Sequence, residues 1–303
     1  MKIRVLGAGA GGGFPQWNCN CDNCRRLRQG QLQGKARTQS SIAVSSNQQE
    51  WLLFNASPDI RAQLEAFPAI QPQQGIRDSG IRAILLIDSQ IDHTTGLLML
   101  REGRPLDIYC TDMVQQDLTS GFPIFNMLKE YCTVKIHPII PNNQAFTIEG
   151  IEDLRFYAHS LISKAPPYSP HRHDPHKGDN IGVIIEQIST GKKVYYAPGL
   201  GEIEPVVFEA MRNVDCLLVD GTFWTNDEMI TQGISQKTAR EIGHLPQSGA
   251  GGMIEILNQI PNARKILIHI NNTNPILDET SAAYQALTVA DIEVAYDGLE
   301  IDL

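Results

Sequence analysis

Arg82-Ala-Ile-Leu-Leu-Ile-Asp88-Ser-Gln90-Ile-Asp92-His93 is the stretch on which the fold turns. Residues 83–87 form an unbroken apolar run, as expected of a strand covered on both faces. The run gives way at once to the polar residues Asp88, Gln90, Asp92 and His93. A helix is predicted directly after it, over 94–102, carrying Leu97, Leu98, Met99 and Leu100. A strand-to-helix corner gathers side chains at one point, so Asp92 and His93 stand there as neighbouring metal-ligand candidates. An Asp-His pair alone says little. Its place at the end of a buried strand gives it weight.

The pattern recurs outward from this corner. Strands are predicted at 2–6, 41–45, 51–54, 82–87, 106–109, 134–139, 154–159, 181–187, 193–197, 216–219, 265–270 and 293–296. Helices are predicted at 58–67 behind a Ser57 cap, and at 94–102, 202–212, 235–242, 252–259 and 279–288, the last capped by Asp278. Strands run together at the N-terminal end before β/α alternation sets in. That order favours two packed sheets with helices outside over a doubly wound parallel sheet. Residues 163–179, rich in Pro and His, read as a long surface loop. Its His171, His173 and His176 are expected in a solvated loop rather than in a lid.

The chain has 303 residues, and 25 Lys plus Arg against 34 Asp plus Glu leave a net charge of −9. Such acidity argues against non-specific nucleic-acid binding. No apolar run approaches the ~18 residues of a membrane helix, and the first residues lack a signal-peptide core. The expectation is a cytoplasmic protein without a membrane segment.

Cys19-Asn-Cys21-Asp-Asn-Cys24 places three of the six cysteines together. The spacing is awkward for mutual disulfides and suits one soft metal ion. Structural zinc is favoured over a catalytic thiol or plain structure, with a fourth ligand still to be supplied. Cys110, Cys132 and Cys216 read as small buried hydrophobes. Gly7-Ala-Gly9-Ala-Gly-Gly12 matches a dinucleotide-binding glycine pattern, but that pattern must open a helix and no helical periodicity follows. A glycine-rich turn passing close to a neighbouring strand fits better. His269 ends the apolar run Ile266-Leu-Ile-His-Ile ahead of the polar Asn271-Asn-Thr-Asn-Pro275, and His159 ends Phe156-Tyr-Ala-His. Taken singly, each reads as a core histidine or as a ligand.

Together these residues resemble the metallo-β-lactamase superfamily, whose strand-end motif reads His-x-His-x-Asp-His. The same frame here carries Asp88-x-Gln90-x-Asp92-His93, and Asn55-Ala-Ser-Pro-Asp59, His159-Ser160, Asp220-Gly-Thr-Phe223, Gly243-His244 and Leu267-Ile-His269 follow in the superfamily's order. The thiol cluster, the Asp-Gly-Thr-Phe-Trp run and the Ile-His-Ile-Asn-Asn-Thr-Asn-Pro run are similar to the coenzyme PQQ biosynthesis protein B family. The resemblance implies an α/β fold, the metallo-β-lactamase-like αββα four-layer sandwich. It also implies one domain over 1–303, with a Cys-rich zinc-binding insertion at about 14–37.

The departures from the superfamily pattern carry the chemistry. Asp88 and Gln90 replace two histidines of the first metal site. Ala197-Pro198-Gly199 stands where a bridging Asp belongs, so His159 alone remains of that site. The second site survives as Asp92, His93 and His269. Two histidines and one carboxylate make the facial triad of non-haem Fe(II) oxygenases, although such ligands also accept zinc, manganese and copper. The resemblance therefore implies an Fe(II)- and O₂-dependent hydroxylase acting on a tyrosine-derived, small-molecule PQQ precursor. A metal-dependent hydrolase and a carrier of PQQ or its precursor remain as alternatives. Asp88, Gln90, His159, Asp220 and His244 would face substrate or support the ligands. Related phosphodiesterases complete a similar thiol site with a His. The matching position here is Asn272, which leaves the fourth ligand of the Cys19, Cys21 and Cys24 site open. A homodimer is also left open.

Overall fold

A computed structural model describes residues 1–102 and 105–303. Its strands, in chain order, are β1 (Lys2–Gly7), β2 (Ser41–Ser45), β3 (Trp51–Phe54), β4 (Ile81–Leu85), β5 (Leu106–Cys110), β6 (Val134–Pro138) and β7 (Asn142–Ile148). They continue as β8 (Ile151–Ser160), β9 (Ile181–Gln187), β10 (Lys193–Ala197), β11 (Cys216–Asp220), β12 (Arg264–Ile268), β13 (Ile292–Val294) and β14 (Glu300–Asp302). One seven-stranded sheet runs β14-β1-β2-β3-β4-β5-β6 and the other β13-β12-β11-β10-β9-β8-β7.

Alternation within each strand builds the layers. Ile3, Val5, Ile42, Val44, Leu52, Phe54, Ala83 and Leu85 point inward and meet Val194, Tyr196, Cys216, Leu218, Ile266 and Ile268 of the other sheet. The intervening Ala43, Trp51, Leu53, Ile84 and Leu86 face helices on one outer side. Tyr195, Ala197, Leu217, Val219 and Leu267 face helices on the other. Both faces of the central strands are therefore covered, which is why their sequences are continuous apolar runs. This is the αββα sandwich.

Several elements differ from expectation. Strand β7 is mostly exposed and β14 is short, so neither carries an apolar signature. The segment after Asp92 is a short α-turn, Ile91–Thr94, followed by a 3₁₀ segment, Thr95–Leu100, instead of one helix. The Thr94 and Thr95 hydroxyls bond the Gln90 and Ile91 carbonyls, and Gly96 N–H is drawn to Ala56 O instead of continuing an α-ladder. The helix expected behind Ser57 starts at Ile60, with Asp59 at its cap position. The last helix is Ala282–Val289, and its cap is Ser281 rather than Asp278: the Ser281 hydroxyl accepts from Tyr284 N–H. The helix expected at 235–242 shrinks to Ala239–Ile242, which a Thr238–Glu241 capping box opens.

The glycine-rich start behaves as a turn. A β-carbon on Gly7 would collide with the Gln39 carbonyl of the neighbouring chain, so only glycine fits there. No helix follows until Asp22–Arg28, which lies inside the thiol segment and was not anticipated. An antiparallel bridge between Phe14 and Arg37 ties the two ends of that segment together.

Candidate metal centre

The site is assembled at the C-terminal ends of β4, β8, β11 and β12, where the sheets hand over to loops. Asp92 and His93 come from Ile91–Thr94, and His269 follows β12 with a backbone φ of 62°. A left-handed conformation away from glycine marks a place where the surroundings hold a side chain in a fixed direction. One donor atom each from Asp92, His93 and His269 lies within 4.8 Å of the others.

Each imidazole is fixed through its Nδ1. His93 Nδ1 lies 2.8 and 2.9 Å from the two oxygens of the buried Asp88 carboxylate. His269 Nδ1 lies 2.9 Å from the Thr222 hydroxyl. Their Nε2 atoms are left facing Asp92: His269 Nε2 is 3.3 Å from Asp92 Oδ2, and His93 Nε2 is 4.0 Å from it. His93 Nε2 is buried and has no hydrogen-bond partner among the described residues. A buried polar atom is rarely left unpaired without a reason, and an ion at this point would supply one.

The electrostatics agree. Burial pushes the His93 imidazole down, but Asp88 and Asp92 outweigh it and raise it to about 9. Burial pushes Asp92 up, but His93 and the hydrogen-bonding His269 hold its carboxyl below the usual range. The pocket is built around positive charge, which a divalent cation can supply as well as protons can.

Asp220, His244 and His269 form a second set of donors close enough for an ion. Asp220, however, already accepts from His244 Nδ1 at 2.6 Å, Leu200 N–H at 2.8 Å, Thr222 N–H at 2.9 Å and the Thr222 hydroxyl at 2.6 Å. A carboxylate offers about four acceptor positions, so this one is filled. Asp220 and Thr222 support the site by orienting His244 and His269.

The other expected residues turn elsewhere. Gln90 donates through Nε2 to Lys164 O at 3.1 Å. His159 stacks on the fully buried Tyr195 and bonds its hydroxyl at 2.7 Å through Nε2. Asp88, Gln90 and His159 thus each hold a protein group, and His159 keeps a buried Nδ1 with no hydrogen-bond partner among the described residues. The expectation of a solvated His171 is corrected: it is buried, with Asp117 Oδ1 at 3.3 Å and Asp179 Oδ1 at 3.1 Å on either side. Two carboxylates compensate its burial and fasten the loop. His173 and His176 are exposed, as expected of a solvated loop.

All six cysteines are free of disulfides. Cys19, Cys21 and Cys24 converge on Asn272, whose Nδ2 lies 3.1, 3.5 and 3.4 Å from their sulfurs. Burial pushes the Cys21 thiol up to about 12, while at Cys19 hydrogen bonds from Cys21, Cys24 and Asn272 outweigh burial and lower the thiol, so the cluster favours a single thiolate unless a cation offsets further charge. Asn272 meets the three sulfurs as a hydrogen-bond donor.

The model of the Beta-lactamase superfamily domain matches residues 50–270. The Coenzyme PQQ synthesis protein B of Methylococcus capsulatus is 69% identical over the whole of both chains, and that of Nitrosococcus oceani is 62% identical, also over both whole chains. The chain belongs to the coenzyme PQQ synthesis protein B family. A crystal structure of Zn(2+)-bound PqqB from Methylobacterium extorquens superposes with a TM-score of 0.91 at 36% identity, covering both chains fully. A diphosphatase of the PhnP family, at 19% identity and a TM-score of 0.68 over 100% of this chain and 97% of its own, shares the fold. The metallo-β-lactamase fold and the family expected from the motifs are both found. Among the described residues, no helix is long and apolar enough to cross a membrane.

Proposed function

We propose that this member of the PQQ synthesis protein B family serves PQQ biosynthesis as a mononuclear, Fe(II)- and O₂-dependent hydroxylase of a tyrosine-derived precursor. The observation that carries the reading is the set of Asp92, His93 and His269, whose donors face one point, beside an Asp220 already filled by hydrogen bonds and a first metal site with no ligand set of its own. Asp88 is bound to His93, His159 to Tyr195, and Ala197-Pro198-Gly199 offers no bridging carboxylate. A dinuclear hydrolase needs that bridge to hold hydroxide between two ions.

Asp92 Oδ2 and the Nε2 atoms of His93 and His269 would hold the ion. Iron bound there would supply the activation of O₂ that an aromatic hydroxylation requires. The protein's own contribution is orientation. The Asp88 carboxylate accepts from His93 Nδ1–H, so Nε2 faces Asp92 and would turn its lone pair to an ion held there. Thr222 does the same for His269. The Asp220–His244 pair lies against His269, with ring centroids 5.4 Å apart, and presents a group able to hold or return a proton. At the thiol cluster, zinc held by Cys19, Cys21 and Cys24 with Asn272 beside them would be structural.

One oxygen atom of O₂ enters the ring and the other leaves as water, so two electrons come from a reductant. The test is anaerobic loading with Fe(II), then O₂ and ascorbate with a diamino acid in which a glutamate is crosslinked to tyrosine. A product one oxygen heavier, formed only with iron and O₂ together, is expected. Iron-loaded protein that leaves the compound unchanged would contradict the reading.

A further inference from the structure

A cleft of about 1170 Å³ opens between the thiol segment, the loop and helix that follow β11, and Asn271–Pro275. Its walls include Cys19 and Cys21 on one side and Trp224, Asp227 and Glu228 on the other. Its inner end adjoins the metal centre. Gly11 lines the cleft, and a β-carbon on Gly11 would stand 3.2 Å from Asp92 Oδ2. Asn271, also in the wall, follows His269 by two residues.

The charge of the cleft is one-sided. Among the described residues no Lys, Arg or His lines it, while Asp22, Asp227 and Glu228 do. Asp22 is paired with Arg25 and Arg26. Glu228 is buried and accepts from the Thr273 hydroxyl at 2.5 Å and Trp224 N–H at 2.6 Å. Asp227 is exposed, and its carboxylate caps no helix N–H and forms no ion pair among the described residues. It is the free anion of the cleft. Carboxamides of Gln16, Asn18, Asn20 and Gln232 complete the walls.

We propose that this cleft receives the amino-acid end of the substrate, with an ammonium group against Asp227, while the aromatic ring reaches past Gly11 to the metal centre. The identity of the ring rests on the hydroxylase reading above. The placement of the ammonium rests on the charge of the cleft. The thiol insertion then has a role beyond stability, because it forms one wall of the substrate site. Selection by charge also follows. An amino-acid precursor carries ammonium groups that the Asp227 carboxylate attracts, whereas the finished cofactor is a polyanion with no cationic group for it to attract.

The test is calorimetric binding to the full-length, zinc-loaded protein without O₂, using tyramine, L-tyrosine and 3-(4-hydroxyphenyl)propionate. These share a phenol and differ in ammonium and carboxylate. Tyramine and L-tyrosine should bind more tightly than the propionate. Asp227→Asn should weaken tyramine by about three- to fivefold, the range of a partly exposed charge pair. The same variant should leave the propionate and the metal content unchanged, and Asp227→Glu should restore tyramine binding. Equal affinities for tyramine and the propionate, an Asp227→Asn variant with unaltered tyramine affinity, or no tyramine binding at millimolar concentration would each overturn the proposal. No turnover is involved, so failed hydroxylation with this pattern intact would count against the chemistry alone.

Discussion

Asp88, at a position where the superfamily has a metal-binding histidine, holds His93 Nδ1 at 2.8 Å through its own carboxylate. The substitution does more than delete a ligand. With an ion on His93 Nε2, Asp88 would act as the orienting partner of a ligand instead of as a ligand itself. Asp88→Ala should therefore lower metal affinity at the Asp92, His93 and His269 centre, the edge site of the sandwich, by about 10–100-fold, the usual effect of losing such a partner. Far-ultraviolet dichroism should stay near wild type. Competition titration with a chelating dye measures this, and an unchanged affinity would return Asp88 to the surroundings.

The vacated first site can be rebuilt. Asp88→His, Gln90→His and Pro198→Asp together restore the residue types missing from it. The triple variant should take up one more edge-site metal than wild type when both are assayed by plasma mass spectrometry after dialysis. Wild-type protein that already carries two protein-ligated edge metals would remove the basis for a mononuclear centre.

Much of this was legible in the sequence, and what was missed shares a cause. Alternation of Ile3 and Val5, or of Val194 and Tyr196, is a local pattern, and so the sandwich could be read. Strand β7 pairs with β8 yet faces water, so no pattern marks it. Asp92, His93 and His269 could be placed by motif. The partners that fix them could not, because whether Asp88 bonds His93 or faces substrate depends on side-chain direction. His171 reads as a loop histidine beside prolines, and only the folded chain brings Asp117 to it. The position of Asn272 after His269 sets it beside the thiols, but that its amide donates to all three sulfurs could be read only from the fold.

The thiol cluster should be a fold element. Structural zinc in small modules contributes ~10–16 kcal/mol of apparent binding energy. Cys21→Ser should lose one zinc and lower Tm markedly, whereas Cys132→Ser, half-buried and away from the cluster, should keep both zinc and Tm. Differential scanning calorimetry alongside zinc analysis reads this. A Cys21→Ser protein with wild-type Tm and full zinc would show that the cluster holds no structural ion.

His159 gives a pH signature. Burial lowers its imidazole from 6.5 to about 4, so it is neutral in the fold at pH 5 while the unfolded chain is protonated. The unfolded state binds more protons between these values, so stability rises with pH across that window and falls as pH drops through it. From pH 7 to pH 5 this group should remove about 2 kcal/mol. Urea denaturation of wild type and His159→Gln at the two pH values isolates the effect. The variant should lose less stability than wild type, and equal losses would mean that His159 titrates normally.

The central claim is one edge metal held by Asp92, His93 and His269, with His159 outside its ligand set. Iron quantification on His269→Ala and His159→Ala after anaerobic loading tests it most directly. The account predicts that His269→Ala loses its iron while His159→Ala retains it. Equal loss in both variants would contradict it, because His159 would then hold metal as a dinuclear site requires.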